Sequence, residues 1–391
     1  MKNNRTFLEK LLDGAEVEWK PLWSVTTWDK RFNAVEKEKQ PKVIKYHYYL
    51  ASELKPLIVD GGNVKLLTTN ESDIWTTEEL VQSNISEGEI IAIPWGGNPI
   101  VQYYKGKFVT ADNRIATSNN TKILDNKFLY YFLLSKLDVI SSFYRGSGIK
   151  HPSMYHVLEM LIPIPPLPVQ TEIVRILDAL TALTSELTSE LTSELILRRK
   201  QYEYYREKLL SFDSLEQLNV RGTKKKLIDV CINIFSGKNK ERNDRGLYPI
   251  YGSTGIIGKT NKKEFSNEQI LVARVGANAG YVHIAQGEYD VSDNTLIVQN
   301  NKNIDLKFLY HTLVNMKLNQ YAKGAGQPLI TARQLKSMEI NVPPLEEQHR
   351  IVSILDKFET LTNSITEGLP LAIEQSQKRY EYYRELLLNF S

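Results

Sequence analysis

Residues able to do chemistry are present, but not at the spacing that chemistry needs. Gly252-Ser-Thr-Gly-Ile-Ile-Gly-Lys-Thr260 has the glycines and the Lys-Thr pair of a phosphate-binding loop. That loop requires a glycine five residues before Gly258, and Ser253 stands there. Lys259, Lys262 and Lys263 leave the stretch two uses, contact with nucleic acid or a solvated turn. The histidines include no pair at metal-binding helical spacing; His151 and His156 stand at i and i+5, off one another's helical face. Cys231 is the single cysteine, which excludes an internal disulfide and a cysteine-based zinc cluster. It reads as a small buried apolar side chain in a reducing compartment. No Gly-x-Ser-x-Gly turn offers a nucleophile, and no glycine-rich βα turn offers a dinucleotide site. The expectation is a chain with no catalytic residues, no metal and no cofactor of its own.

The elements that would position such residues are laid out by a long-period repeat. Pro165-Pro-Leu-Pro-Val-Gln170 recurs as Pro343-Pro-Leu-Glu-Glu-Gln348, at an offset of 343 − 165 = 178. Ile173-Val-Arg-Ile-Leu-Asp178 recurs as Ile351-Val-Ser-Ile-Leu-Asp356, and Tyr202-Glu-Tyr-Tyr-Arg-Glu207 as Tyr380-Glu-Tyr-Tyr-Arg-Glu385, at the same offset. Upstream, Arg145-Gly-Ser-Gly148 faces Lys323-Gly-Ala-Gly326, and Phe128-Leu-Tyr130 faces Phe308-Leu-Tyr310. The stretches before these matches, 20–110 and 220–290, do not resemble one another. Each half therefore reads as a variable module followed by a shared frame.

The shared ends read as long helices. Ile173, Ile176, Leu177, Leu180, Leu183, Leu187, Leu191 and Leu195 step by three or four, and neither Pro nor Gly interrupts 169–210. Three copies of Thr-Ser-Glu-Leu fill 184–195, and each copy turns the leucine stripe by about 40°. The second copy carries Gly368 and Pro370, which predict a kink or break. Helices of about 40 residues reach roughly 60 Å, more than one small core can cover. Two of them from one duplication are expected to pair antiparallel. The modules read as mixed α/β. Glu89–Pro94 and Gln102–Val109 suggest strands with a Lys-Gly hairpin turn, and Tyr248–Gly252, Ile270–Val275 and Asn294–Val298 are strand-like.

Composition fits this plan. The 391 residues exceed one ordinary domain, and 42% hydrophobic with 24% charged residues is globular. Lys+Arg 49 against Asp+Glu 46 gives only +3, so any basic surface must arise by local segregation. The 21 tyrosines suit wet recognition surfaces. No apolar signal core opens the chain, and no apolar run approaches the ~18 residues of a membrane span. The expectation is a soluble cytoplasmic protein that does not bind membranes.

The paired Pro-Pro-Leu-x-x-Gln and Ile-Val-x-Ile-Leu-Asp segments resemble those of the specificity (S) subunits of type I restriction–modification systems, close to the type IC subgroup. Phe7-Leu-Glu-Lys-Leu-Leu-Asp-Gly14, Val17-Glu-Trp19, the Thr-Ser-Glu-Leu array, Leu361–Pro370 and both Tyr-Glu-Tyr-Tyr-Arg motifs carry the same resemblance. It implies an α+β fold, with two α/β target recognition domains joined by two long antiparallel helices in a pseudo-two-fold, duplicated frame. The expected division is an arm over 1–19, recognition domains over 20–165 and 214–343, and spacer helices over 166–213 and 344–391. The resemblance further implies a non-catalytic chain whose partners are double-stranded DNA with a bipartite target, two modification subunits and restriction subunits. S-adenosylmethionine, Mg and ATP are then expected on those partners.

With DNA as the implied partner, residue chemistry selects candidates. Arg and Lys suit phosphate or guanine, and Asn suits adenine. In the first module these are Lys30, Arg31, Tyr46, Trp95, Asn98 and Arg114; in the second, Lys238, Tyr251, Ser253, Lys259, Arg274 and Asn278. For each, the competing reading is surface charge or core packing. Tyr202, Tyr205, Arg206, Tyr380, Tyr383 and Arg384 are candidates for docking partner subunits, against packing between the paired helices. Two other function classes stay open: a stand-alone DNA methyltransferase or nuclease, and a structural adaptor with no DNA role.

Overall fold

The structure is a computed structural model that describes residues 6–211, 222–240, 242–243, 245–324, 326–364 and 367–390. The expected boundary at 213/214 lies outside them, as do Ala325, Ile365 and Thr366 within quoted motifs. The chain divides into two compact units, Met1–Thr188 with Gln375–Ser391, and Ser189–Glu374.

The first unit is built on a six-stranded sheet. Its strands are β2 (Thr26–Trp28), β3 (Val64–Leu67), β4 (Trp75–Thr76), β5 (Ser86–Pro94), β6 (Gln102–Thr110) and β7 (Asn113–Ser118), in the order β2-β7-β5-β6-β3-β4. Only β3 and β6 pair in parallel. The central β5 ends in the run Ile90-Ile-Ala-Ile93, all buried, as a strand covered on both faces requires. A separate ribbon joins β1 (Glu18–Pro21) to β10 (Leu161–Ile164). A second small ribbon joins β8 (Tyr144–Arg145) to β9 (His151–Pro152). Among the helices of the unit are α1 (Leu22–Val25), α2 (Asn126–Ser135) and α3 (Met154–Glu159), and the chain then enters α4 (Leu167–Leu210). Phe128, Leu129 and Phe132 of α2 share a core with Ile91 and Ile93 of β5 and with Ile173 and Leu177 of α4.

The second unit repeats this plan. β11 (Thr223–Lys226) pairs with β19 (Glu339–Val342) as β1 does with β10. Strands β12 (Cys231–Ser236), β15 (Gln269–Ala273), β16 (Val282–Ala285) and β18 (Thr295–Asn300) form an antiparallel sheet in the order β12-β18-β15-β16. That is the order β2-β7-β5-β6 of the first unit. Helices α5 (Leu227–Val230), α6 (Leu306–Asn315) and α7 (Ala332–Ser337) stand where α1, α2 and α3 stand. The modules, whose sequences do not resemble one another, thus have the same sheet order. The likeness is invisible in their sequences because a buried strand needs only apolar residues, and Ile90-Ile-Ala-Ile93 and Ile270-Leu-Val-Ala273 both meet that need. The second unit adds a sheet of β13 (Tyr248–Gly252), β14 (Gly255–Thr260) and β17 (Asp290–Val291), in the order β14-β13-β17.

The frame motifs pin each long helix to its module. Gln170 is fully buried; its Oε1 accepts from the Asp125 N–H (2.9 Å), and its Nε2 donates to the carbonyls of Ile123 and Pro165 (both 2.8 Å). Gln348 repeats this, accepting from the Asp305 N–H and donating to the Pro343 carbonyl, both at 2.8 Å. Asp125 and Asp305 are in turn the N-caps of α2 and α6. Asp178 receives Lys127 Nζ and the Tyr131 hydroxyl, while Asp356 receives Lys307 Nζ and faces His311 Nε2 at 3.1 Å.

Helix α4 runs unbroken for 44 residues, whereas its C-terminal counterpart is two helices, α8 (Leu345–Asn363) and α9 (Leu369–Leu388). The break expected at Gly368 is present, with φ +95° and its α-carbon so close to the Thr360 carbonyl that a Cβ would lie 2.6 Å from that oxygen. In the first unit Thr181 Oγ1 donates to the Tyr380 hydroxyl (3.1 Å), and Leu387 and Leu388 share the core with Val169 and Ile173, so α4 and α9 run antiparallel there. In the second unit Tyr205 stacks on Phe358 of α8, centroids 5.6 Å apart. The leucine seam is not continuous: Leu177 is buried, but Leu183, six residues on and so off the face of Leu177, is 61% exposed.

Two turns differ from expectation. Lys105-Gly106 lies inside β6 opposite Gly88 of β5, and the hairpin turn is at 95–101. Gly106 has φ +141°, and a Cβ there would sit 3.0 Å from the Tyr104 hydroxyl, so this glycine makes room for a ring on its own strand. The glycine-rich 252–260 stretch is a β-hairpin, with Gly252 opposite Gly255 and Lys259 out on β14.

Candidate nucleic-acid interface

In the first unit, Lys30, Trp95, Asn98 and Arg114 gather at the end of β5, while Arg31 and Tyr46 do not. Asp29, just after β2, is fully buried and accepts from Arg114 Nη1 (3.0 Å), the Ile115 N–H (3.0 Å) and the Tyr48 hydroxyl. Burial pushes its carboxyl up, against the pull of Tyr48 and Arg114. Arg114 is 1% exposed, and its other guanidinium arm pairs with Asp112. The expectation of DNA contact at Arg114 is therefore corrected. A buried cation needs counter-charge, and the two terminal nitrogens of this one are spent on two aspartates.

What Arg114 does is support Trp95. Its guanidinium lies 4.9 Å from the Trp95 ring centroid and 5.4 Å from that of Tyr48. Lys30 Nζ sits 5.1 Å from the Trp95 ring, and the His151 ring lies 5.2 Å away. Lys30 is exposed, and burial of its ammonium together with the Arg114 charge lowers its pKa. Trp95 is half-buried against the core, a braced aromatic and not a free-standing one. Asn98 is exposed in the turn after β5. Arg31 is exposed but donates to the carbonyls of Gln40 (3.2 Å) and Pro41 (3.3 Å). Tyr46 packs on Phe108 with centroids 5.6 Å apart, and burial pushes its phenol up to about 12.

In the second unit, the candidates divide between two places. Arg274 and Asn278 follow β15, as Trp95 and Asn98 follow β5. Arg274 is half-buried, with Nη1 at 3.4 Å from the Asp293 carbonyl, and Asn278 is exposed. Tyr251 stacks on His283 (5.8 Å), and Tyr281 also stacks on it (5.7 Å). Burial lowers His283 to about 4. Ser253 is half-exposed at the β13–β14 turn, and Lys259 is exposed. Lys238 is exposed and lines an open cleft of 560 Å³ with Phe235, Asn239, Lys240 and Phe265. Cys231 is buried, and burial pushes its thiol up to about 12, away from reactivity.

The partner-face candidates separate by direction. Tyr202 is 8% exposed and packs on Phe358 and His311, while Arg206 lies over its ring at 5.0 Å. Arg384 lies over Tyr380 in the same way, at 5.6 Å. Tyr202 is thus buried, and Arg206, Tyr380 and Arg384 are half-buried. Tyr205 and Tyr383 are 41% and 42% exposed, but the most exposed are Tyr204 (57%) and Tyr382 (61%), which residue reasoning passed over. The Tyr-Tyr doublet in both motifs was the available signal. Tyr204 lines a groove with Glu194, Leu197, Arg198 and Gln201, and Tyr382 one with Lys136, Glu385 and Leu386. Among the described residues, one group has metal-ligand proximity, His311, Asp356 and Glu359. Lys307 occupies Asp356 and the Tyr310 hydroxyl donates to Glu359, so the group is a polar clamp between α6 and α8. No helix among the described residues is long and apolar enough to cross a membrane.

Known proteins place this architecture. The model for the type I restriction modification DNA specificity domain matches twice, at residues 33–196 and 222–375. A Haemophilus influenzae chain, provisionally named a type I restriction enzyme specificity subunit, is 43% identical over the full length of both proteins. The EcoprrI specificity subunit of Escherichia coli is 33% identical, covering 93% of this chain and 92% of its own. The EcoR124I/EcoR124II specificity subunit of Escherichia coli is 32% identical over 98% and 97%. The crystal structure of the S subunit from M. genitalium superposes with TM-score 0.54 at 18% identity, covering 97% of this chain and 98% of that one. The S subunit from Thermoanaerobacter tengcongensis does so with TM-score 0.52 at 15% identity, covering 95% of each. With two matched domains on a duplicated frame and full-length relatives, this chain belongs to the type I restriction–modification DNA specificity subunit family.

Proposed function

We propose that this chain is the non-catalytic DNA-recognition subunit of a type I restriction–modification complex, each unit reading one half of a split double-stranded target. The observation that carries this is one sheet order and one helix frame built twice, with different side chains at the ends of the central strands. Two unlike readers on one frame suit two unlike half-sites. Two modification subunits dock on the helical frame and bring S-adenosylmethionine for adenine methylation. Restriction subunits add Mg- and ATP-dependent cleavage. None of that chemistry asks for a reactive group on this chain.

In this reading the Thr-Ser-Glu-Leu array within α4 sets the gap between half-sites. One tetrapeptide turns the helix by about 40° and advances it by about 6 Å. A base pair turns DNA by roughly 34–36° and rises about 3.4 Å. The rotation matches one base pair and the advance is nearer two; we take one.

The test is methylome sequencing of a host expressing this chain with its modification partner. The expected result is a bipartite adenine-methylated motif with a fixed gap. Deleting Thr188–Leu191 is expected to shorten that gap by one base pair and leave both half-sites unchanged. A continuous motif, or a gap indifferent to the deletion, overturns the reading. Methyl transfer or cleavage by the purified chain alone would make it an enzyme instead.

A further inference from the structure

Each unit carries the same exposed glycine loop beside the end of its central strand. In the first unit, β8 and β9 close a loop in which every residue from Arg145 to His151 is exposed. In the second, Lys323 and Leu329 exchange both backbone hydrogen bonds (3.0 and 2.9 Å) around a loop in which Lys323, Gly324, Gly326 and Gln327 are exposed and Pro328 is half-buried, Ala325 being outside the described residues. Arg145 and Lys323, Gly146 and Gly324, and Lys150 and Pro328 all stand 178 apart.

The construction is also the same. Gly146 has φ +143° and Gly324 φ +118°; a Cβ would lie 2.8 Å from the Ile149 carbonyl oxygen in one and 2.7 Å from that of Gln327 in the other. Neither position accepts a side chain. Each loop is tied to the turn after the central strand, by Gly97 N–H to the Lys150 carbonyl (3.1 Å) and by Gly276 N–H to the Pro328 carbonyl (3.0 Å). Arg145 and Lys323 hold no ion pair among the described residues. The N–H groups of Ser147, Gly148 and Ile149 likewise make no hydrogen bond among them. Beside these loops the neighbouring residues differ between units: Pro94 and Trp95 in one, Arg274 and Val275 in the other.

We infer that the two loops are sequence-independent phosphodiester clamps, with Arg145, Lys150 and Lys323 as the phosphate-contacting cations. The inference rests on the DNA-reading function proposed above. Two half-sites differ in their bases and share their backbone. A device built identically in both units serves what the half-sites share, and the unlike neighbours serve what differs. The loops give up side-chain bulk, which lets protein backbone come close to a phosphate, and they present cations and free N–H donors there.

The experiment measures DNA binding by the full chain in complex with its modification partner, on target and unrelated duplexes across a salt series. For Arg145→Ala with Lys323→Ala, affinity is expected to fall by the same factor on both duplexes, about tenfold or more. The slope of log K against log salt should fall by about 2, one for each lost phosphate contact. The methylated motif should be unchanged. Gly148→Asp, at a position with open space around its Cβ, is expected to lower both affinities equally without disturbing the fold. Unchanged affinity and slope in both variants overturns the clamp, and so does a loss confined to the target or a changed motif. A wild-type complex with no salt-dependent DNA binding overturns the DNA-reading function itself, a result distinct from either.

Discussion

Arg114 and His283 are polar groups taken out of water, and the fold handles their charge in opposite ways. Arg114 keeps its charge because Asp29 and Asp112 neutralise it, and it spends the charge on bracing Trp95. His283 gives its charge up. Its ring stacks with Tyr251 and with Tyr281, neither ring nitrogen has a hydrogen-bond partner among the described residues, and burial lowers its pKa to about 4. An unfolded histidine takes up a proton as pH falls through about 6.5, which the folded one resists until about 4. Its effect on stability is therefore absent above about 6.5 and becomes destabilising as pH falls between those values, at roughly 1.4 kcal/mol per pH unit. His283→Phe keeps the stack and removes the titration. The stability difference between variant and wild type, from denaturant unfolding, is expected to grow by roughly 2 kcal/mol between pH 7 and pH 5. A difference that stays constant with pH would show that His283 does not titrate this way.

At the scale of elements, the motif Pro-Pro-Leu-x-x-Gln is a joint. The glutamine fixes the start of a long helix to the N-cap of the helix that covers the sheet, in both units. Gln170→Leu leaves a buried N–H and two carbonyls unpaired, a loss of roughly 2–4 kcal/mol. Hydrogen exchange is expected to show faster exchange at the N-terminal turn of α2, with α6 unchanged; Gln348→Leu should do the reverse. Equal loosening of both helices by either variant would show that the joints are not local. The repeated motif was legible as a frame from spacing alone, and so was the break at Gly368. The Lys-Gly turn was misplaced because a glycine inside a strand and one in a turn look alike until its neighbour, here the Tyr104 ring, is known. The common sheet order of the two modules leaves no trace in their residues because burial selects for apolarity and not for particular residues.

For the whole molecule, the exposed half of each Tyr-Glu-Tyr-Tyr-Arg motif bears on assembly. Tyr204 and Tyr382 are far more exposed than Tyr202, which joins a core, and Tyr380, which is half-buried, and each lies beside an open groove. Tyr204→Ser with Tyr382→Ser is expected to preserve the thermal transition of the chain and to cut recovery of the modification subunit on co-purification at least tenfold, since partly exposed tyrosines anchor interfaces. Full recovery would assign the docking face elsewhere. Arg206 and Arg384 are poorer probes of docking, because each covers an inward tyrosine ring and its loss disturbs packing.

By itself the sequence determined the duplication, the long helices, the break in the second one and the family. These rest on spacing along the chain, which covalent geometry carries without regard to tertiary contacts. The tertiary structure decided which cations and aromatics remain available. Arg114 is withdrawn by Asp29, 85 residues away, Trp95 is held by groups from three separate segments, and Tyr204 turns outward where Tyr202 turns in. Exposure is set by neighbours distant in sequence, and no local pattern encodes which neighbours those will be.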